Sequence, residues 1–363
     1  FCFLNFNLFQ YDPERIIMKK THIASAALTA ASALFFSANA ATVAEGVNTV
    51  GSVSMQIAAH GETLAANFYV PEGCSEGNKC PAVVVSHPWG GVKEQTSGYY
   101  AQALSRKGFV TVAFDASHYG MSTGEPRDFE SPESRVEDIR SAVSWLANRP
   151  EVDASRIGSL GICAGGGYAL HEVQSDPRVK AVAAVSAYDI GAAARDGIDG
   201  APMTLENRRA LLENSAASFT NHAAGTPFER ISLLPENAED LAKADAFTQE
   251  AASYYLTSRG SHPNAKNRVV TASLALHQTY QPFSFLSTIA PRPVLLIAGE
   301  KAQTLRFSRS AFNAAAEPKE LVVVPNAHHF DLYDKPEFTI PIIEKLTQFF
   351  TAALTANPGV QAK

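Results

Sequence analysis

From Arg156 to Gly167 the chain reads Arg-Ile-Gly-Ser-Leu-Gly-Ile-Cys-Ala-Gly-Gly-Gly, an apolar run that ends in Gly-x-Cys-x-Gly and then turns helical. A nucleophile held on a strained turn between strand and helix needs small residues two positions before and two after it, because the backbone crowding admits nothing larger. Gly161 and Gly165 supply both. The stretch therefore reads as a nucleophile elbow with Cys163 at its apex, and the attacking species is a thiolate where an alkoxide is usual. Taken alone, the pentapeptide also suits a packed structural cysteine, since free Cys is among the most buried residue types. The rest of the chain has to choose between the two.

An elbow needs a parallel sheet to stand on, and the chain offers one. Val47 to Ile57 and Leu64 to Val70, split by His60-Gly61, read as an antiparallel pair. Ala82 to Ser86, Phe109 to Phe114, Ile157 to Gly161, Val179 to Val185, Val294 to Ala298 and Leu321 to Val324 are continuous apolar runs of the kind buried on both faces of a parallel sheet. Helical patterns lie between them, including Tyr99 to Arg106 and Ser134 to Asn148, the latter with Val136, Ile139, Val143 and Leu146 at helical spacing. This alternation predicts a mostly parallel, doubly wound α/β sheet. From about Ile190 to Ile289 the rhythm breaks into Ala-rich polar segments with no strong strand signal, interrupted by Gly197-Ile198-Asp199-Gly200 and Gly260 to Asn264. The expected organisation is a core over 41–189, a helical cap insertion over 190–289, the remainder of the core over 290–350, and a flexible tail over 351–363.

Met18-Lys19-Lys20, the small and apolar run Ile23 to Phe36, and Ser37-Ala38-Asn39-Ala40-Ala41 have the three parts of a secretory signal peptide, with cleavage expected after Ala40. Residues 1–17 read as upstream sequence ahead of an initiator Met18. Export, to a periplasm or to the outside, implies an oxidising compartment, in which Cys74 and Cys80, flanking a short polar loop, are expected to form a disulfide. Cys2 falls in the leader, so Cys163 is left as an unpaired thiol, which tilts the elbow toward catalysis. The net charge of −6 with no basic block argues against nucleic acid or an anionic membrane surface as a partner. A composition of 46% hydrophobic and 18% charged residues is that of an ordinary globular chain, and the charge balance fits a small or neutral substrate better. No metal-ligand spacing or dinucleotide fingerprint occurs, because Gly165-Gly166-Gly167 belongs to the elbow helix, so neither metal nor cofactor is expected.

A nucleophile requires a base, an acid that orients it and donors for the developing oxyanion, all at the carboxyl ends of strands. After the last apolar run comes Pro325-Asn326-Ala327-His328-His329-Phe330-Asp331, which makes His329 the expected base with His328 as the fallback. After Val294 to Ala298 comes Gly299-Glu300-Lys301-Ala302-Gln303, which makes Glu300 the expected acid with Asp331 and Asp189 as rivals. His87-Pro88-Trp89-Gly90-Gly91 follows a core strand in the manner of an oxyanion loop, and Pro88 has no N–H to give. The expected oxyanion donors are the amides of Ala164 and Trp89. His87, Glu94, His118 and Tyr119 are candidates for the pocket mouth.

With these motifs the chain resembles the α/β-hydrolase superfamily, and more narrowly its dienelactone-hydrolase-like branch, in which the nucleophile is Cys. The resemblance covers about residues 50–350 and rests on His87 to Gln95, Gly161 to Gly165 and His329 to Tyr333, with Tyr255 to Asn264 in the cap also similar to bacterial hydrolases of this group. It implies the α/β-hydrolase fold and a triad. Many relatives carry the acid a few residues further along the loop, where Gln303 stands here, and the cap is longer than in the compact dienelactone hydrolases, which argues against transferring their lactone specificity. The expected activity is hydrolysis of an ester, thioester or lactone through an acyl-enzyme. Acyl transfer to an organic acceptor and a non-catalytic binding role on the same fold are the alternatives.

Overall fold

The apolar runs pair into one sheet in the computed structural model, which describes residues 52–355. The expected leader and signal peptide therefore lie outside the described residues. In chain order the first half comprises β1 (Ser52–Ala59), β2 (Glu62–Tyr69), β3 (Cys80–Ser86), α1 (Thr96–Ser105), β4 (Val110–Phe114), α2 (Pro132–Ala147), β5 (Val152–Ile162), α3 (Ala164–Glu172) and β6 (Val179–Val185). There follow α4 (Ile190–Asp196), α5 (Leu205–Ala223), β7 (Arg230–Ser232), α6 (Ala238–Lys243), α7 (Ala246–Tyr255), β8 (Arg268–Val270) and α8 (Leu274–His277). The chain then returns through β9 (Val294–Gly299), α9 (Leu305–Ala314), β10 (Lys319–Val324), α10 (Asp331–Asp334) and α11 (Pro336–Thr355). Eight strands form the main sheet in the order β1-β2-β4-β3-β5-β6-β9-β10, with β2 antiparallel to both of its neighbours, β1 and β4, and every other pair parallel. This is the α/β arrangement the runs predict.

Local chemistry sets the elements. α2 begins where the Ser131 hydroxyl accepts from the Ser134 amide and Pro132 takes the first turn, where a missing N–H costs nothing. Its apolar positions Val136, Ile139, Val143 and Leu146 are buried against the sheet. β3, β4 and β6 are buried along nearly their whole length, as strands covered by helices on both faces must be. β10 departs from that expectation. It is an edge strand, pairing only with β9, so Val323 stays 38% exposed despite an equally apolar sequence.

The segment between β6 and β9 is mostly helical, its helices begun by side-chain caps at Thr204, Asn237 and Asp245. It also holds a strand pair that the sequence did not signal: β7 and β8 form a three-residue antiparallel ladder. Pairs that short carry too little alternation to register. α11 continues through Thr355, into the stretch expected to be a frayed tail; residues 356–363 lie outside the described residues. Cys74 and Cys80 are joined as a disulfide, and Cys163 is the free cysteine among the described residues.

Candidate active site

The carboxyl ends of β3, β5, β9 and β10 converge, and the turn after β5 carries Cys163. Cys163 sits there at φ 56°, ψ −124°, immediately before α3. Its carbonyl accepts from the amides of Gly166 and Tyr188, both at 2.9 Å, and its own amide donates to Val185 at 3.0 Å. A positive φ at a residue with a Cβ is strained, and this backbone bonding holds it in place. A methyl group on Gly161 would lie 2.1 Å from the Gly165 carbonyl oxygen, and one on Gly165 would lie 2.5 Å from that of Ser86. Only glycine fits either position.

The Cys163 sulfur accepts from the backbone N–H groups of Ala164 and Trp89 and bonds the Tyr333 side chain. These donors and the start of α3 favour a thiolate. Burial opposes them and is the larger effect: the thiol, 8% exposed, is pushed up to about 11. His329 is wholly buried, and the same cause pushes its imidazole down to about 3. Both groups are therefore neutral at pH 7. The imidazole Nδ1 lies 2.5 Å from Thr304 Oγ1, and Nε2 lies 3.1 Å from the Tyr333 hydroxyl. Tyr333 thus stands between the sulfur and the imidazole.

None of the three expected acids reaches that imidazole. The Glu300 carboxylate accepts from the Asn326 amide at 2.9 Å on an exposed edge, because the backbone of Glu300 and Lys301 still runs alongside the loop after β10. Asp331 accepts from the His328 amide at 2.8 Å and pairs with Lys335 at 2.5 Å. Asp189 caps α4 through the Ala192 amide, and burial raises it to about 6. Thr304, one residue beyond Gln303, stands where the orienting group belongs. Neither Thr304 nor Tyr333 carries a charge that would mark it in a sequence. The signal available for Tyr333 was its place four residues after His329, on the short helix that follows it.

The four pocket candidates have other work. His87 is fully buried, its Nδ1–H donating to the Pro88 carbonyl at 2.6 Å while Nε2 accepts from the Ala116 amide at 2.9 Å. It splices the loop after β3 to the loop after β4. Arg135 donates to the His87 carbonyl at 2.6 Å and pairs with buried Glu130 at 3.2 Å, and Glu130 also takes the Tyr168 hydroxyl at 2.7 Å. The loop after β3 therefore rests on a buried polar bracket. Glu94 pairs with Lys93 at 2.6 Å and lies 4.0 Å from His262 of the segment between β6 and β9. His118 lies against the Pro126 carbonyl and the Phe129 ring, and Tyr119 packs on His87. His328 is exposed.

The segment between β6 and β9 roofs the site. Phe247 of α7 packs on His329 with centroids 5.3 Å apart, and Tyr255 packs on Phe330 and Tyr333. His277 meets Trp89 edge-on at 5.4 Å. The contact with the histidine loop is also polar: Glu250 accepts from the Phe330 amide at 2.8 Å, and Arg259 donates to Asp334 at 2.7 Å and to the Phe330 carbonyl at 3.0 Å. An enclosed, aromatic-walled thiol with two amides aimed at it has the chemistry to take up an acyl group and stabilise an oxyanion.

A family model described as X-Pro dipeptidyl-peptidase (S15 family) matches residues 60–330. The protein PA2218 of Pseudomonas aeruginosa is 41% identical over 295 residues, covering 80% of this chain and 77% of its own length. Its crystal structure matches with a TM-score of 0.77 and 38% identity over 86% of this chain and 96% of that one. The crystal structure of the α/β hydrolase GrgF from a Penicillium species matches with a TM-score of 0.70 at 20% identity, over 84% and 99% of the two chains, a likeness of fold. The thiohydrolase aneE of Aspergillus aculeatus is 24% identical over 258 residues, covering 69% of this chain and 79% of its own.

Proposed function

The chain belongs to the S15 family of α/β hydrolases, and from that premise we propose that it cleaves an ester, thioester or lactone of a small substrate through an acyl-enzyme on Cys163. The observation that carries this reading is the convergence of the Ala164 and Trp89 amides on the sulfur of an elbow residue. In the proposed cycle His329 receives the thiol proton and the thiolate attacks the carbonyl carbon. The two amides hold the oxyanion, and water activated by His329 then releases the acid. Thr304 keeps the imidazole in one orientation, in the place where a carboxylate is usual.

The substrate class follows from leaving-group chemistry. When the tetrahedral intermediate collapses, the thiolate competes with the substrate's own leaving group, so activated or strained acyl groups react in preference to amides. The peptidase activity in the family's description is for that reason not carried over, whereas the likeness to a thiohydrolase agrees with the chemistry. The aromatic roof favours an apolar acyl chain. It also favours a second reading, in which the enclosed acyl-enzyme passes its group to an alcohol or amine because water is kept out.

Mass spectrometry of the protein after brief exposure to a panel of p-nitrophenyl esters, thioesters and lactones tests both readings. An acyl adduct on Cys163 is expected, with no turnover by Cys163→Ala; free acid as product supports hydrolysis, and conjugates formed with added alcohols or amines support transfer. Undiminished turnover by Cys163→Ala would falsify the assignment. We further propose that the protein is exported, a reading the Cys74–Cys80 disulfide supports. Recovery of the protein from the reducing cytoplasm of its cells, with both thiols free, would overturn it.

A further inference from the structure

Both nitrogens of the His329 ring are engaged, Nδ1 by Thr304 and Nε2 by the Tyr333 hydroxyl, and the same Tyr333 side chain bonds the Cys163 sulfur. A proton leaving the thiol has no direct seat on the imidazole in this arrangement. We propose that Tyr333 is a catalytic residue whose phenol carries the proton between Cys163 and His329, a role that rests on Cys163 being the acyl-accepting nucleophile.

The hydrogen-bond chain permits one arrangement that leads in the required direction. Thr304 Oγ1 can accept as well as donate. With Nδ1–H donating to it, Nε2 is the acceptor, Tyr333 O–H donates to Nε2, and the thiol S–H donates to the phenolic oxygen. In the acylation step the S–H bond breaks as a new O–H bond forms at Tyr333, while the original phenolic O–H breaks and its proton binds Nε2. The electron pair left on sulfur attacks the carbonyl carbon, and the imidazole becomes imidazolium. On collapse the imidazolium returns its proton through the same oxygen to the departing alkoxide or thiolate. Tyr333 ends each step carrying one proton, as it began, although the proton has been exchanged. Burial holds its phenol well above the ordinary range, so the two transfers are coupled and no free phenolate accumulates.

The surroundings fix that hydroxyl in place. Tyr333 is fully buried, the Tyr254 ring packs edge-on at 5.0 Å, and the Thr96 hydroxyl donates to the Tyr333 carbonyl at 3.1 Å. One residue earlier the Tyr100 hydroxyl donates to the Leu332 carbonyl at 2.7 Å. The phenol stands where a bridging water would otherwise carry the proton, and its side chain is held by bonds at the hydroxyl and at the backbone carbonyl.

The test compares the native protein, Tyr333→Phe and Cys163→Ala in the burst of p-nitrophenol from p-nitrophenyl butyrate. Tyr333→Phe should acylate Cys163 about a hundredfold or more slowly while still giving the adduct by mass, the range a general acid–base group supplies. The native acylation rate, measured in mixtures of light and heavy water, should fall along a curve that needs two protons in flight. This second reading requires no variant and stands even if Tyr333→Phe folds poorly. A Tyr333→Phe protein that acylates within about threefold of native, or a native rate that falls linearly with deuterium content, overturns the relay while the Cys163 adduct leaves the acyl-enzyme intact. Turnover by Cys163→Ala would overturn both.

Discussion

At the scale of single residues, the site consists of a thiol and an imidazole that are both neutral, and burial is the reason. A preformed thiolate–imidazolium pair would react with iodoacetamide at a rate that levels off near neutral pH. With the thiol pushed up to about 11, the thiolate fraction instead rises about tenfold per pH unit across the neutral range. Labelling of Cys163 in the resting protein should therefore climb steadily from pH 7 to 10 with no plateau, read by adduct mass; a plateau below pH 8 would show an ion pair that this geometry lacks. The orienting role is equally open to test. Thr304→Ala leaves Nδ1 without its partner and should lower kcat/KM about tenfold, or about 1.4 kcal/mol of transition-state stabilisation. Glu300→Gln should stay within about twofold of native, because its carboxylate is spent on the Asn326 amide. Equal losses in the two variants would mean that Glu300 reaches the imidazole after all.

At the scale of elements, the elbow depends on how closely α3 passes β3 and β5. Gly165→Ala would drive a methyl group to 2.5 Å from the Ser86 carbonyl and 2.6 Å from that of His87, both backbone atoms that cannot swing aside. Overpacking of this kind costs about 3 kcal/mol, and it should appear as a lowered urea midpoint with an unchanged slope. A Gly165→Ala protein as stable as native would show that strand and helix are more loosely packed than these distances require. The histidine loop is held in turn by the roof, through Glu250 on the Phe330 amide and Arg259 on Asp334. Sequence periodicity located α2 and most of the strands to within a few residues because one face of each had to be apolar. It missed β7 and β8, whose three-residue ladder is specified by tertiary contact, and it could not distinguish edge strand β10 from the covered ones, since both are written with the same Val and Leu.

At the scale of the molecule, the cost of burying titratable groups shapes stability against pH. His277 is fully buried and lowered to about 4. Its folded pKa lies below its unfolded value near 6.5, so between those limits the unfolded chain binds the proton and the folded chain does not. Stability is therefore intact above about 6.5 and is lost as pH falls toward 4. His329, at about 3, acts in the same direction. Glu172, raised to about 9, acts in the opposite direction, favouring the folded chain at low pH and losing that contribution as pH rises. His277→Gln removes one of the first kind, so its melting temperature should fall less than the native one between pH 7 and 4.5 by scanning calorimetry. Parallel declines would mean that His277 is protonated in the fold.

The sequence alone determined the parallel sheet, the glycine-flanked turn with Cys163 at its apex, the late histidine and the Cys74–Cys80 pairing, because each is set by local pattern: apolar runs, glycine spacing, a short loop between cysteines. What faces His329 was decided only in three dimensions. Thr304 and Tyr333 are neutral, ordinary residues, and Glu300 has the right charge on the right loop. The path of the chain after β9 brings Thr304 rather than Glu300 to the imidazole, and that path is fixed by packing between strands far apart in sequence. The reactivity of Cys163 is settled in the same way, since the roof and the sheet together determine how much water reaches the sulfur.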